Sequence, residues 1–381
     1  MSLANARLWI LANCWNKIQF MLNLRQVNKW LMENAYPEIS IVIVGYKSKK
    51  YLDDCLKSIQ HQTFYSLQKV EVIYINNGFI DGSIALIQRN YRWVSSVRNM
   101  KSVGMSAVLN QGIKYSSGKY ILVISPDVIL ASDYLDKAYK KMERESQTAA
   151  IMGKVYNYDF NQSGRTEYFD TIGIFSVVDR QVLSARGVKD EGQFEDQEQI
   201  FSVRNICCMY RRTALEDVKI DDEYFDENLI MYWEDIDLCW RLNLFGWKIF
   251  FFPGLVSYRC MDSMKASNLE EARKEERHAF LINDRLMLIK NEFFLTMVRD
   301  FRLLLLKFLI KENFFLDRWV AGFFQYLSKI PSTYKKRREI MKRRRVSRLE
   351  MRRWFIRKKN SRYEYYKSKN LYIYAQLPTI Y

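Results

Sequence analysis

Histidine is almost absent from this chain: His61 and His278 are the only two in 381 residues. Both fall in helical stretches and read as surface or packing residues, so a histidine-built metal centre is not expected. Glycine (14) and proline (5) are scarce, which excludes long flexible linkers. The six cysteines, Cys14, Cys55, Cys207, Cys208, Cys239 and Cys260, form no CxxC pair, and four sit in apolar contexts. A zinc ribbon or disulfide framework is therefore not expected, and reduced cytosolic thiols are. No run of 18 uncharged apolar residues occurs, so no transmembrane helix is expected. The apolar stretch Leu8–Ala12 is bracketed by Arg7 and Asn13 with no small-residue cleavage site at the right distance; no signal peptide is expected.

What is present is a globular composition, 49% hydrophobic and 27% charged, enough for one large domain or two smaller ones. The net charge of +17 is concentrated: Lys335 to Lys369 holds 17 Lys and Arg against three Glu, leaving the rest near neutral. A basic tail of that kind selects an anionic partner, lipid headgroups or nucleic acid.

Along the chain, residues 1–36 carry Leu8, Leu11, Trp15, Ile18 and Leu22 at helical spacing, which predicts an amphipathic segment packed on the body, with a helix lying in the plane of a membrane as the alternative. From Glu38 the pattern changes to β-branched runs alternating with helices. Strands are predicted at 38–46, 70–77, 93–98 and 120–124, with helices at 49–62, 81–90, 104–114 and 133–145. Continuous apolar strands between helices predict a doubly wound, largely parallel sheet. In such sheets ligands bind beyond the carboxyl ends of the strands, where Asn76, Asn77 and Asp127 fall. A further strand is expected over 150–155, a long polar loop or lid over 170–198, a strand over 206–210, and a strand over 248–252 closed by Pro253-Gly254.

The most distinctive stretch is Tyr232-Trp233-Glu234-Asp235-Ile236-Asp237-Leu238-Cys239-Trp240-Arg241. Read as a helix, it sets three acids beside an apolar stripe, an arrangement that raises proton affinity unless a cation compensates and so suits a general base or a metal site. The alternative is a helix start with acids at the positive end of its dipole.

Together these residues resemble a family 2 glycosyltransferase of the GT-A fold, and more narrowly the bacterial rhamnosyltransferase-type members. Ser40-Ile41-Val42-Ile43-Val44 is similar to the opening strand. Glu71-Val72-Ile73 through Asp81-Gly82-Ser83 resembles the nucleotide-binding strand and turn. Ser125-Pro126-Asp127 resembles a variant of the metal-binding DxD motif. Phe225-Asp226-Glu227 with Glu234-Asp235-Ile236-Asp237-Leu238, then Gly246-Trp247 and Pro253, resembles the acceptor-side segment. Asp170 with Gly173, Arg186-Gly187 and Gly192-Gln193-Phe194 also look like this family.

The resemblance implies a Rossmann-like α/β GT-A domain over 37–265, with a helical region over 266–331 and a basic, aromatic tail over 332–381. It implies an inverting enzyme that moves a sugar, rhamnose among the candidates, from a dTDP-, UDP- or GDP-linked donor to a glycan or lipid-linked acceptor in cell-envelope synthesis. Asp235 would be the general base, with Glu234 the alternative. Val44, Tyr46, Asn76, Asp81, Ser125 and Asp127 would line the donor site, with Asp127 on a Mg²⁺ or Mn²⁺ ion that neutralises the diphosphate. Asp237, Arg211 and Arg259 are candidates on the acceptor or phosphate side. The tail would hold the enzyme on the cytoplasmic face of the cell membrane, and nucleic acid is the weaker alternative.

The chain departs from the family pattern at four places. Asn76 stands for the usual strand-end Asp, Gly45-Tyr46-Lys47 for Asn-Tyr-Asn, and Ser125 for Asn. The region after Pro253 reads Ser257-Tyr258-Arg259-Cys260 where the family commonly has a metal-holding His. Arg259 in that position would bring a fixed positive charge to the diphosphate itself. The same departures motivate a second reading, a catalytically degenerate homologue acting as a binding or scaffold subunit.

Overall fold

The computed structural model describes residues 37–64, 69–159, 164–178, 181–229, 233–260, 282–296 and 316–374. The amphipathic segment expected over 1–36 and most of the helical region expected over 266–331 lie outside the described residues.

The first half alternates as its sequence pattern requires. Strands β1 (Ile39–Gly45), β2 (Val70–Asn76), β3 (Val94–Arg98) and β4 (Tyr120–Ile124) are separated by helices α1 (Lys49–Gln60), α2 (Ser83–Asn90) and α3 (Met105–Tyr115). All four strands run parallel in the order β4-β1-β2-β3. Ile39, Ile41, Val42 and Ile43 are buried, as expected of a strand covered by helices on both faces. Leu52, Leu56 and Ile59 face the core from α1. Because β1 lies between β2 and β4, the connections diverge on either side of it and leave a crevice at its carboxyl end, near Gly45.

A short strand β5 (Val128–Leu130) and helix α4 (Tyr134–Arg144) lead into the second half, built on β6 (Thr148–Asp159), β7 (Gly164–Thr171), β10 (Glu198–Gln199), β11 (Cys207–Arg211) and β12 (Lys248–Cys260). β11 enters the sheet antiparallel between β4 and β6. Helices α5 (Arg212–Val218) and α6 (Glu234–Leu244) lie between β11 and β12. β12 does not stop at Pro253-Gly254: its register with β6 shifts between Phe251 and Val256, and the strand resumes to Cys260. A bulge is where a residue without an N–H is tolerated in a strand interior, and this one carries Arg259 back to the crevice.

The polar stretch over 170–198 is not a loop or lid. It holds β8 (Ser176–Val178) and β9 (Gln181–Ser184), which form a second, four-stranded sheet with β13 (Phe355–Ile356) and β14 (Tyr372–Tyr374) in the order β13-β8-β9-β14. The basic tail is likewise structured. After helices α7 (282–291) and α8 (Leu316–Arg343), the chain continues through α9 (Arg348–Met351) and α10 (Ser361–Ser368). Met351, Trp354, Ile356, Tyr366 and Leu371 join the main hydrophobic core. Among the described residues no helix is long and apolar enough to cross a membrane.

Candidate active site

The carboxyl ends of β1, β2 and β4 bring the donor-side candidates together. Gly45 pairs in register with Asn76. A Cβ at Gly45 would meet the Tyr74 hydroxyl at 2.1 Å, so the departure from Asn here has a steric cause. Val44 packs against the core from a half-buried position. Tyr46 is exposed and lies against Phe79, ring centroids 5.4 Å apart. The Lys47 ammonium sits 5.0 Å from the Phe79 ring. An exposed tyrosine against a half-buried phenylalanine, with a cation beside them, is a platform on which a nucleobase can stack.

The polar groups at this edge are partly committed to the backbone. Asn76 Oδ1 accepts from Phe79 N–H at 3.1 Å. The Asn77 side chain donates to Val103 O and accepts from Val103 N–H, so it holds the loop before α3. Asp81 accepts from the amides of Lys49 (3.1 Å) and Ser83 (2.9 Å). Burial opposes its charge, yet bonds from Ser83 and from backbone amides keep its carboxyl below the ordinary range. Asp81 thus ties together the first residues of α1 and α2.

Ser125-Pro126-Asp127 turns the chain from β4 into β5, with Val128 N–H donating to Ser125 O. Asp127 is buried, and its Oδ2 accepts from Arg259 Nε at 3.0 Å. Arg259 Nη1 donates to Asp170 Oδ2 at 3.3 Å, and Arg186 lies 3.5 Å from Asp170 Oδ1. Cys260 N–H donates to Asp127 O, which fixes the two strands that carry the pair. Burial works against the charge of Arg259, but Asp127 and Asp170 outweigh it and hold its proton more tightly than usual. Among the described residues, two carboxylates and two guanidiniums from four chain segments therefore form one cluster. Sequence reasoning quoted Asp170 and Arg186 as family-like residues but assigned them no contact; their partners are distant in sequence.

On the other side of the same strand end, Ser125 N–H donates to Ile206 O at 2.8 Å. Just before Ile206, Arg204 Nε lies 3.2 Å from Asp235 Oδ2. Asp235 Oδ1 also accepts from Ile236 N–H. These residues start α6, and Trp233 before it is left-handed at φ 68°. A bulky residue held there costs roughly 1–3 kcal/mol, the kind of strain that collects at functional sites. Glu234 is buried and its Oε2 has no hydrogen-bond partner. Burial, with the Asp235 charge beside it, pushes the Glu234 carboxyl up to about 7. Arg204 and Asn205 were not among the sequence candidates, because only the pairing of β11 with β4 brings them to α6.

Two candidates, Asp237 and Arg211, are elsewhere. Asp237 is fully buried and meets Arg241 (3.2 Å), Lys290 (2.8 Å) and Asn291 (2.6 Å). With Asp226, which binds Lys290 and Lys336, it locks α6 to α7 and α8. Arg211 is buried at the opposite end of the sheet, opposite Tyr120, where it donates to Thr148 O, Met142 O and Glu145 O. Arg212 donates to Gly118 O and the Ser116 hydroxyl. Neither candidate faces the crevice; their charges serve packing, because a buried charge persists only when paired.

Comparison with known proteins agrees with this architecture. Residues 40–219 match the family model described as Glycosyl transferase family 2. Glycosyltransferase GlyG of Streptococcus pneumoniae is 27% identical over 154 residues, covering 38% of this chain and 50% of that protein. The Poly(ribitol-phosphate) beta-glucosyltransferase of Bacillus spizizenii is 24% identical over 258 residues, covering 65% of this chain and 40% of that protein. The chain thus spans half or less of the length of these relatives. Among solved structures, GalNAc-T7 with UDP, GalNAc and Mn²⁺ superposes at a TM-score of 0.51 and 11% identity, covering 67% of this chain and 48% of that one, a likeness of fold. The GT-A-like α/β fold and the match of residues 40–219 to the family 2 glycosyl transferase model thus coincide on the same part of the chain.

Proposed function

We propose that this chain is an inverting glycosyltransferase that moves a sugar from a nucleotide-sugar donor to an acceptor hydroxyl in cell-envelope polysaccharide synthesis. The reading rests on the junction of β4 and β11. There the Ser125–Ile206 backbone bond sets the Asp127 turn on one side and the Arg204–Asp235 pair on the other. A donor diphosphate and an acceptor hydroxyl need such flanking groups of opposite function. The acceptor oxygen attacks the anomeric carbon, the bond from that carbon to the diphosphate breaks, and its electron pair leaves with the nucleotide. The acceptor proton passes to a carboxylate of α6.

The family resemblance points to Asp235 as that base. The environment of Glu234 favours it instead: a carboxyl pushed up to about 7 by burial beside Asp235 has the proton affinity best suited to accept a proton near neutrality, whereas Asp235 is already paired with Arg204 and accepts from Ile236 N–H. In either case the two act as a pair, since the charge of Asp235 helps set the affinity of Glu234.

The Mg²⁺ or Mn²⁺ ion that the resemblance implies does not fit the residues present. Arg259 already sits on Asp127, and among the described residues no group of three or more His, Cys, Asp or Glu side chains could hold a metal ion. A dication about 4 Å from that guanidinium would be repelled by roughly 8 kcal/mol at an effective dielectric of about 20. No step of the reaction is therefore assigned to a metal.

The donor sugar follows from a panel. dTDP-rhamnose, UDP-glucose, UDP-N-acetylglucosamine and GDP-mannose are each incubated with the full chain, reading melting temperature and donor hydrolysis. One donor is expected to raise the melting temperature and be consumed. A chain that responds to none of them is a binding or scaffold subunit instead. The exposed part of the basic C-terminal region is proposed to rest on anionic lipid at the cytoplasmic membrane face, near a lipid-linked acceptor.

A further inference from the structure

We infer that Arg259 is the built-in cation of the donor site, and that nucleoside diphosphate binding by this protein is independent of divalent metal. The inference rests on the glycosyl-transfer reading above and goes beyond it. Three strand segments meet to hold this one side chain. Asp127 takes Nε at 3.0 Å from the β4–β5 turn, Asp170 takes Nη1 at 3.3 Å from β7, and Arg259 itself returns on β12. The carboxylates keep only 6% and 4% side-chain exposure, while the Arg259 side chain keeps 18%. Both acids are therefore enclosed, and Arg259 is more exposed than either acid it binds.

A guanidinium presents five N–H donors in a fixed plane. Two are committed to the carboxylates, and the remaining donors, from Nη1 and Nη2, take no partner among the described residues and can form a forked pair with phosphate oxygens. Its charge cannot be lost by deprotonation near neutral pH, so the site is cationic before any ligand arrives. Asp127 and Asp170 orient that charge rather than ligate a metal, and Arg186, 3.5 Å from Asp170, keeps the cluster from becoming net negative. With two carboxylates matched by two guanidiniums, a departing diphosphate meets a cation that does not have to be recruited from solution.

The test is titration of the full chain with UDP, dTDP and GDP by calorimetry, first in excess EDTA and then with Mn²⁺. At least one nucleotide is expected to bind in EDTA with an affinity within about threefold of its value with Mn²⁺. An affinity that falls about tenfold or more in EDTA overturns the inference while leaving the glycosyltransferase reading in place. Absence of binding by every nucleotide under both conditions overturns both. Arg259→Gln is expected to lower the EDTA affinity by about tenfold or more, the loss of a charge-assisted pair; unchanged affinity removes Arg259 from the role. Because Arg259→Gln leaves two buried carboxylates less well paired, the EDTA comparison on the unaltered chain stands as the primary measurement. Direct titration of Mn²⁺ into the nucleotide-free chain is expected to give no stoichiometric heat, and a saturable one-to-one signal overturns the inference.

Discussion

Glu234 is held where ionisation is costly, and that makes it a reporter for the acidic pair. Its ordinary value is 4.5, and burial beside Asp235 moves it to about 7. Between those two values the folded state binds a proton that the unfolded chain has released. Stability therefore falls as pH rises through this window and levels off above it. Glu234→Gln removes the ionisation but keeps the shape. It is expected to stabilise the protein by roughly 3 kcal/mol at pH 8 and by less than about 1 kcal/mol at pH 5, measured by urea unfolding. Equal stabilisation at both pH values would assign the effect to packing. The same group sets the activity profile if it is the base: kcat/KM rises with pH through about 7, and Asp235→Asn moves that limb to lower pH by removing a neighbouring negative charge. A limb that keeps its position in a nearly inactive Asp235→Asn variant would assign the base to Asp235.

At the scale of elements, the C-terminal region behaves as part of the domain rather than as a tail. Trp354 is 1% exposed and lies against Phe201. The Ser176 hydroxyl donates to its carbonyl, and β13 and β14 flank β8 and β9. Trp354→Ala is expected to cost about 3–5 kcal/mol in urea unfolding. Termination before Arg348 is expected to leave a chain that no longer unfolds cooperatively, read by the same melt; an unchanged melt would restore the picture of a free tail. The parallel half of the sheet was legible in the sequence because buried β-branched runs such as Ile39–Val44 leave a continuous local pattern. The second sheet was not, because its strands are two to four residues long and its outer pairings, β13 with β8 and β14 with β9, join segments far apart in sequence. Trp354, Ile356, Tyr366 and Leu371 are scattered among lysines and arginines with no helical or strand period. The acidic helix was legible as an element, but not the destinations of its acids. Asp235 and Asp237 differ by two positions, which on a helix sends one to the crevice with Arg204 and the other to the buried lysine of α7.

For the whole molecule, the fold redistributes the charge that the sequence concentrates. Lys336 is buried with Glu223 and Asp226, Arg345 binds Asp217, and Lys369 binds Glu198, so part of the basic region is neutralised by acids of the body. What is left outward includes Lys342, Arg352, Arg357, Lys358, Lys359 and Lys367, with Leu349 71% exposed among them. Each such cation near an anionic bilayer contributes on the order of 1 kcal/mol, so this smaller set still supports binding, but binding that is screened once the Debye length falls to a few ångströms. The full chain is expected to float with vesicles containing phosphatidylserine at low salt, to dissociate at about 1 M salt, and to ignore vesicles of phosphatidylcholine alone. Arg357, Lys358 and Lys359 form one exposed run between β13 and α10, so reversing all three to Glu tests the surface without disturbing the core. The reversed variant is expected to keep its melting temperature and lose flotation. Flotation that survives the reversal, or that is equal on neutral vesicles, would transfer membrane attachment to another part of the chain. The same variant tested with a soluble acceptor and with a lipid-linked one separates attachment from chemistry. Turnover of the soluble acceptor is expected to be unchanged and turnover of the lipid-linked acceptor to fall, because only the second substrate shares the surface that those three cations hold.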